Sequence, residues 1–244
     1  MRRFHFSVDD VLGAVLQLSD WGVTVEQQPM LGLLARLHAE TGVESALYCF
    51  HDMTLADGRR RSLDEVSEAA GAVLAQAPAF RWGPHAVNYA TAPHAQTVEA
   101  ARASFTALEA ALARFAPAHR RADWVRLHYF SELYELAPLW AAQGISALLT
   151  TDKPALAWRL PQGCKADLAA KGRTSHAGMG FITSHLRLEV FREDDPARFC
   201  DRIDAAVARH GFCTLFTHEA DLDDPVLRRL LARACDHAAR TGLV

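Results

Sequence analysis

Apolar residues fall into two alternating patterns along this chain. Short runs rich in β-branched and aromatic residues read as strands: Phe4–Asp9, Ser45–Phe50, Phe80–His85, Trp124–Phe130, Ile145–Thr151, Gly180–Glu189 and Phe212–Thr217. Between them, apolar residues recur at helical spacing. Pro29 opens the series Leu31, Leu34 and Leu37, which stops near Gly42, and Thr97 precedes Val98, Ala101, Phe105, Leu108 and Leu112. Ser62 and Glu65 form a capping box ahead of Val66, Ala69 and Val73. Ser131 caps Leu133–Ala142, which Pro138 is placed to kink. Asp195-Pro196 and Asp224-Pro225 each set an N-cap acid before a proline at the first helical position, with stops at Gly211 and near Gly242.

Repeated alternation of strand and helix predicts an α/β fold with a parallel sheet and crossover helices, as a closed or nearly closed β/α barrel. The segment from Leu156 to Glu189 breaks the rhythm, and Ala157–Leu160 with Phe181–Leu188 is predicted to form an inserted β-hairpin. A doubly wound sheet is the alternative, but neither GxGxxG nor GxxxxGK[ST] occurs, so nucleotide-phosphate binding has no support.

Composition narrows the class. With 244 residues, half of them hydrophobic and no break in composition, residues 1–244 read as one globular domain. A net charge of −3 gives no basic footprint for nucleic acid. Five cysteines without a CxxC pair argue against a disulfide framework or a thiolate zinc site and for a reducing, cytoplasmic setting. Asp9 and Asp10 interrupt any apolar stretch after Met1-Arg2-Arg3, so no signal peptide is expected, and no apolar run is long enough to span a membrane.

Twelve histidines are the unusual count, and their placement suggests chemistry. His51, His85, His128, Asp152, His185 and His218 stand at or near strand ends, together with the Asp9-Asp10 pair. In a β/α barrel the C-terminal strand ends carry the site. Carboxylates and imidazoles converging there are what a site for a divalent metal requires.

The order and content of these strand ends resemble the polysaccharide deacetylase (NodB-homology) family, also called carbohydrate esterase family four. Ser7-Val8-Asp9-Asp10 resembles its T-F-D-D motif, His85 the first histidine of H-[ST]-x-x-H, Arg126-Leu127-His128-Tyr129 its R-x-P-Y motif, and Leu215-Phe216-Thr217-His218 its final L-x-H strand. The resemblance implies a distorted (β/α) barrel of about seven strands and a divalent cofactor, usually zinc. It also implies hydrolysis of an N-acyl bond on a small-molecule or oligosaccharide substrate. By the same match Asp9 is the general base, Asp10 and His85 are metal ligands, and Arg126 orients Asp9 by a bidentate contact. His218 would protonate the leaving amine with a pKa near neutrality, held by Asp152. Tyr89 stands where the family has its second histidine, which leaves His94, His128 or His185 to complete the ligand set. Trp21, Trp82, Tyr89, Tyr129 and Trp158 are candidates either for sugar stacking or for the core. A non-catalytic carbohydrate-binding barrel, or another metal-dependent sugar enzyme such as an isomerase, lyase or glycosidase, would use the same ring of residues.

Overall fold

The structure, a computed structural model, describes residues 4–55, 57–193 and 195–244. Met1–Arg3, the start of the segment read as lacking a signal peptide, lies outside the described residues.

The strands are β1 (Phe4–Val11), β2 (Ser45–Phe50), β3 (Asp52–Thr54), β4 (Arg60–Ser62), β5 (Phe80–Ala86), β6 (Trp124–Val125), β7 (Ala147–Thr150), β8 (Arg173–His176), β9 (Met179–Thr183), β10 (Leu186–Arg187) and β11 (Cys213–His218). The helices are α1 (Gly13–Trp21), α2 (Pro29–Thr41), α3 (Glu68–Gln76), α4 (Val98–Ala113), α5 (Ala137–Ala142), α6 (Gln162–Lys171), α7 (Pro196–His210) and α8 (Pro225–Arg240).

Five parallel strands form one sheet in the order β10-β11-β1-β2-β5. A second sheet runs β6-β7-β9-β8, parallel except for β8. β3 and β4 make a separate hairpin. On one side, Trp82 of β5 bridges in parallel to Arg121, which lies just before β6. On the other, the Thr214 hydroxyl donates to the Thr183 carbonyl. The fold is therefore α/β, with parallel strands and packed helices. The core fills from the strand interiors: Phe6, Val8, Leu47, Trp82, Leu148, Phe181 and Leu215 are all buried.

Three helix starts follow the capping chemistry of the sequence. Thr97, Asp195 and Asp224 accept from the first-turn amides of α4, α7 and α8. The Ser62–Glu65 capping box is present but opens a 3-10 turn, and Ser67 caps α3 itself. Pro138 sits in the first turn of α5, where its missing N–H has no partner to lose, and starts that helix instead of kinking it.

Three expectations are corrected. Trp124–Phe130 is a strand only at Trp124-Val125, because the chain then turns through Tyr129 and Phe130 at φ 54 and 53. Gly180–Glu189 is split into β9 and β10. The inserted hairpin pairs β8 with β9, not Ala157–Leu160. Its two-residue loop has Ala177 at φ 49 and Gly178 at φ 80, the paired positive φ of a type I′ turn.

Candidate active site

Asp9, Asp10, His85, Arg126 and His218 line one cavity of about 380 Å³ at the C-terminal ends of β1, β5, β6 and β11. A regular strand would send the adjacent Asp9 and Asp10 side chains to opposite faces. Here the β1–β2 register shifts between Val8 and Val11, and Asp10 takes φ 62. Aspartate tolerates this left-handed conformation better than most residues, and the bulge turns both carboxylates to the same cavity.

The bulge is clamped from the last strand. Glu219, directly after β11, accepts from the N–H groups of Leu12 at 2.8 Å and Ala14 at 2.6 Å. α1 has no N-cap side chain of its own, so Glu219 supplies that carboxylate from across the fold. A Cβ at position 13 would lie 2.6 Å from Glu219 Oε1, so a larger residue there would have to displace the carboxylate from the Leu12 and Ala14 amides. Burial pushes the Glu219 carboxyl up to about 7, against the pull of the backbone N–H groups and with Asp10 nearby adding to the rise.

Three donor atoms converge at the floor. His85 Nε2 lies 3.0 Å from Asp10 Oδ1, His128 Nδ1 lies 3.6 Å from the same oxygen, and the two ring nitrogens are 3.2 Å apart. The far nitrogens decide the tautomers. His85 Nδ1 faces the Arg126 carbonyl at 2.6 Å and His128 Nε2 faces the Tyr89 carbonyl at 3.0 Å. A carbonyl only accepts, so each of these nitrogens carries the proton, and in the neutral rings a bare lone pair points at Asp10. Asp10 Oδ1 is buried without a hydrogen-bond partner. Three acceptors this close repel one another unless a cation lies between them. Donors on a tetrahedral zinc, at about 2.0–2.1 Å from it, stand about 3.3 Å apart, so the residues present fit a divalent ion. Burial, then the neighbouring His85, lowers the His128 pKa and favours the neutral ring. Phe50 packs edge-on against both rings.

Beside this cluster Asp9 and Arg126 form a buried ion pair, Nη1 to Oδ1 at 2.9 Å. The contact is single, not the bidentate one expected, because the remaining guanidinium donors reach Ser7 Oγ at 2.8 Å and Ser184 Oγ at 3.1 Å. The guanidinium also stacks 3.9 Å from the Phe216 ring centroid.

His218 Nδ1 meets Asp221 Oδ2 at 3.0 Å and Glu189 Oε1 at 3.1 Å. Asp152 is not its partner; that carboxylate accepts from Thr151. Burial opposes the charged ring, but Glu189, Asp9 and Asp221 together push the His218 pKa up to about 9, so near neutral pH the ring is an imidazolium. The expected pKa near neutrality is corrected accordingly. Glu189 ends the run read as the strand Gly180–Glu189, and its partnership with His218 has no sequence signal.

The other histidines lie elsewhere. His94 Nδ1 pairs with Ser131 Oγ at 3.0 Å and stays outside the three-donor cluster. His185 is engaged by Thr214 at 3.0 Å and His210 at 2.8 Å. His51 faces Asp52 and Asp64. Among the aromatic candidates Trp82 is core, while Tyr89 and Tyr129 are exposed at the cavity mouth, 66% and 48%. Trp21 and Trp158 are exposed but do not line the cavity.

No protein-family profile matches the chain, and no curated protein matches it. Solved structures do share its fold. A variant, with restored enzymatic activity, of a carbohydrate esterase family four pseudoenzyme aligns over 99% of this chain and 64% of its own, at TM-score 0.53 and 9% identity. The wild-type pseudoenzyme from Bacillus anthracis aligns over 98% and 62%, at TM-score 0.50 and 8% identity. A 4-α-glucanotransferase from Thermococcus litoralis aligns over 97% and 37%, at TM-score 0.58 and 12% identity. The chain spans less than two thirds of the length of each of these proteins. At such identities the likeness is one of fold alone, and it is shared with the carbohydrate esterase family four pseudoenzyme and the glucanotransferase alike.

Proposed function

We propose that this chain is a metal-dependent hydrolase that cleaves the amide of an N-acylated, carbohydrate-type substrate. The observation that carries the reading is the set of three converging lone pairs on Asp10, His85 and His128, set beside one buried carboxylate and one imidazolium. Asp10, His85 and His128 would hold the ion, for which zinc suits the mixed nitrogen and oxygen donors. When bound, a divalent ion supplies Lewis acidity to the acyl oxygen and acidifies water at the site.

The chain's own residues do the rest. Asp9 takes the proton of the attacking water, in an orientation fixed by Arg126 Nη1. His218, already protonated between Glu189 and Asp221, delivers a proton to the leaving amine. Tyr89 and Tyr129 at the mouth offer rings for a pyranose to stack on. We take the two parallel sheets as halves of one distorted barrel forming a single domain. We assign the protein to the cytoplasm, since all five cysteines are free thiols. No helix among the described residues is long and apolar enough to cross a membrane.

Acetate release from N-acetylated sugars by the zinc-loaded protein tests the reading. Activity that is lost on chelation and in Asp9→Asn supports it. Tight zinc binding without hydrolysis of any such sugar would favour a non-catalytic carbohydrate-binding role, and turnover without amide cleavage another sugar enzyme.

A further inference from the structure

The cavity holds a second arginine that the mechanism leaves unused. Arg187, on β10, lines the same wall as Arg126 and His218. The two arginines differ in their partners. Arg126 is buried, and each of its three nitrogens already donates to Ser7, Asp9 or Ser184. The Arg187 side chain makes no hydrogen bond among the described residues, and its Nε is buried without a partner. Its nearest acid is Glu189 at 3.8 Å, beyond hydrogen-bond range, and that Oε1 is already in contact with His218 Nδ1.

The Arg187 side chain is nonetheless held in place. Its guanidinium lies 5.1 Å from the Phe216 ring centroid and 5.6 Å from that of Phe130, within cation–π range of both. Phe130 is one of the two residues in the left-handed turn after β6, so that turn helps build the wall behind the arginine. Asp9 is hydrogen-bonded to Arg126, and His218 lies between Glu189 and Asp221, whereas the Arg187 guanidinium has only the longer 3.8 Å ion pair to Glu189. A fixed guanidinium with free donors matches a carboxylate in fork geometry.

Resting on the hydrolase reading, we infer that Arg187 is an anion subsite, and that the N-acylated substrate carries a carboxylate close to the scissile amide. A carboxyl-bearing N-acetyl sugar then binds through Arg187 in addition to its contacts at the metal.

Calorimetric titration of the full chain, with and without zinc, uses N-acetylmuramic acid and its methyl ester, which differ in the charge. The acid should bind on the order of 10-fold more tightly than the ester, the scale of one charge-assisted hydrogen bond. The preference should survive zinc removal, disappear in Arg187→Gln, and return only partly in Arg187→Lys. Unchanged melting temperatures show that the variants fold. Equal binding of acid and ester, no binding of the acid, or a preference that persists in Arg187→Gln or vanishes with the metal would each overturn the subsite. Hydrolysis separates this from the broader reading. Cleavage of neutral N-acetyl sugars without acid preference refutes the subsite alone, and acid preference without hydrolysis refutes the hydrolase alone.

Discussion

The backbone carbonyl of Tyr89 accepts a hydrogen bond from His128 Nε2 at 3.0 Å. The position where the resemblance would place a second metal-binding histidine thus contributes no side-chain donor. It fixes the tautomer of a histidine that arrives from the end of the next strand.

Because Tyr89 acts through its backbone, Tyr89→Ala should change zinc affinity less than about 3-fold, while His128→Ala should lower it 10-fold or more. His94→Ala and His185→Ala, whose rings pair with Ser131, Thr214 and His210, should behave like Tyr89→Ala. Competition against a calibrated chelator measures all four. A large loss in His94→Ala with none in His128→Ala would reassign the third ligand.

Removing Arg126 strands the Asp9 carboxylate, which is 2% exposed. Arg126→Ala should therefore lose about 3–5 kcal/mol of unfolding free energy, the usual result of breaking a buried pair from one side. Adding Asp9→Asn should recover a large part of it, since the uncompensated charge is gone. Urea unfolding of both single variants and the double variant gives the coupling.

His218 sets a basic limit. Its pKa, raised to about 9 from an ordinary 6.5, means that its ion-pair contribution to stability is complete below pH 6.5 and is lost as pH rises through 9. The acid form needed for the leaving group disappears over the same window. The basic limb of the pH–rate profile should fall near pH 9 in the native protein. In Glu189→Gln it should move toward neutrality, because the acceptor that favours the charged ring is weakened. A limb that stays in place would separate Glu189 from the proton donor.

Glu219→Ala leaves the Leu12 and Ala14 amides without their acceptor and should lower stability by about 1–3 kcal/mol. Glu219→Gln keeps one acceptor oxygen and should fall between the two. Denaturant midpoints at a fixed pH check the order.

What the sequence could reveal follows from how local each signal is. Asp9, Asp10, His85 and His218 stand out because polar residues end apolar runs, and α2, α4, α7 and α8 carry their own start signals. α1 was missed because its cap belongs to Glu219, more than 200 residues away in the chain. His94 and His128 were indistinguishable as donors. What separates them is the backbone reversal at Tyr129 and Phe130, a conformation that bulky side chains disfavour and only the folded surroundings impose. Glu189 was hidden in a run that reads as one strand and is in fact two short ones.

The pairing of β1 with β11, sealed by the Glu219 clamp, also sets an order of assembly. β1 can pair with β2 once the first fifty or so residues exist, but its other edge must wait for Cys213–His218. Contacts this distant along the chain form late and slowly, because the loop they close is long. Until then β1 presents an open strand edge of the kind that invites pairing with other chains. A ribosome-bound fragment ending before β11 holds all three converging donors yet lacks both the imidazolium and the clamp that stabilises the bulge. Such a nascent chain carries the three donors before it carries His218 or Glu219.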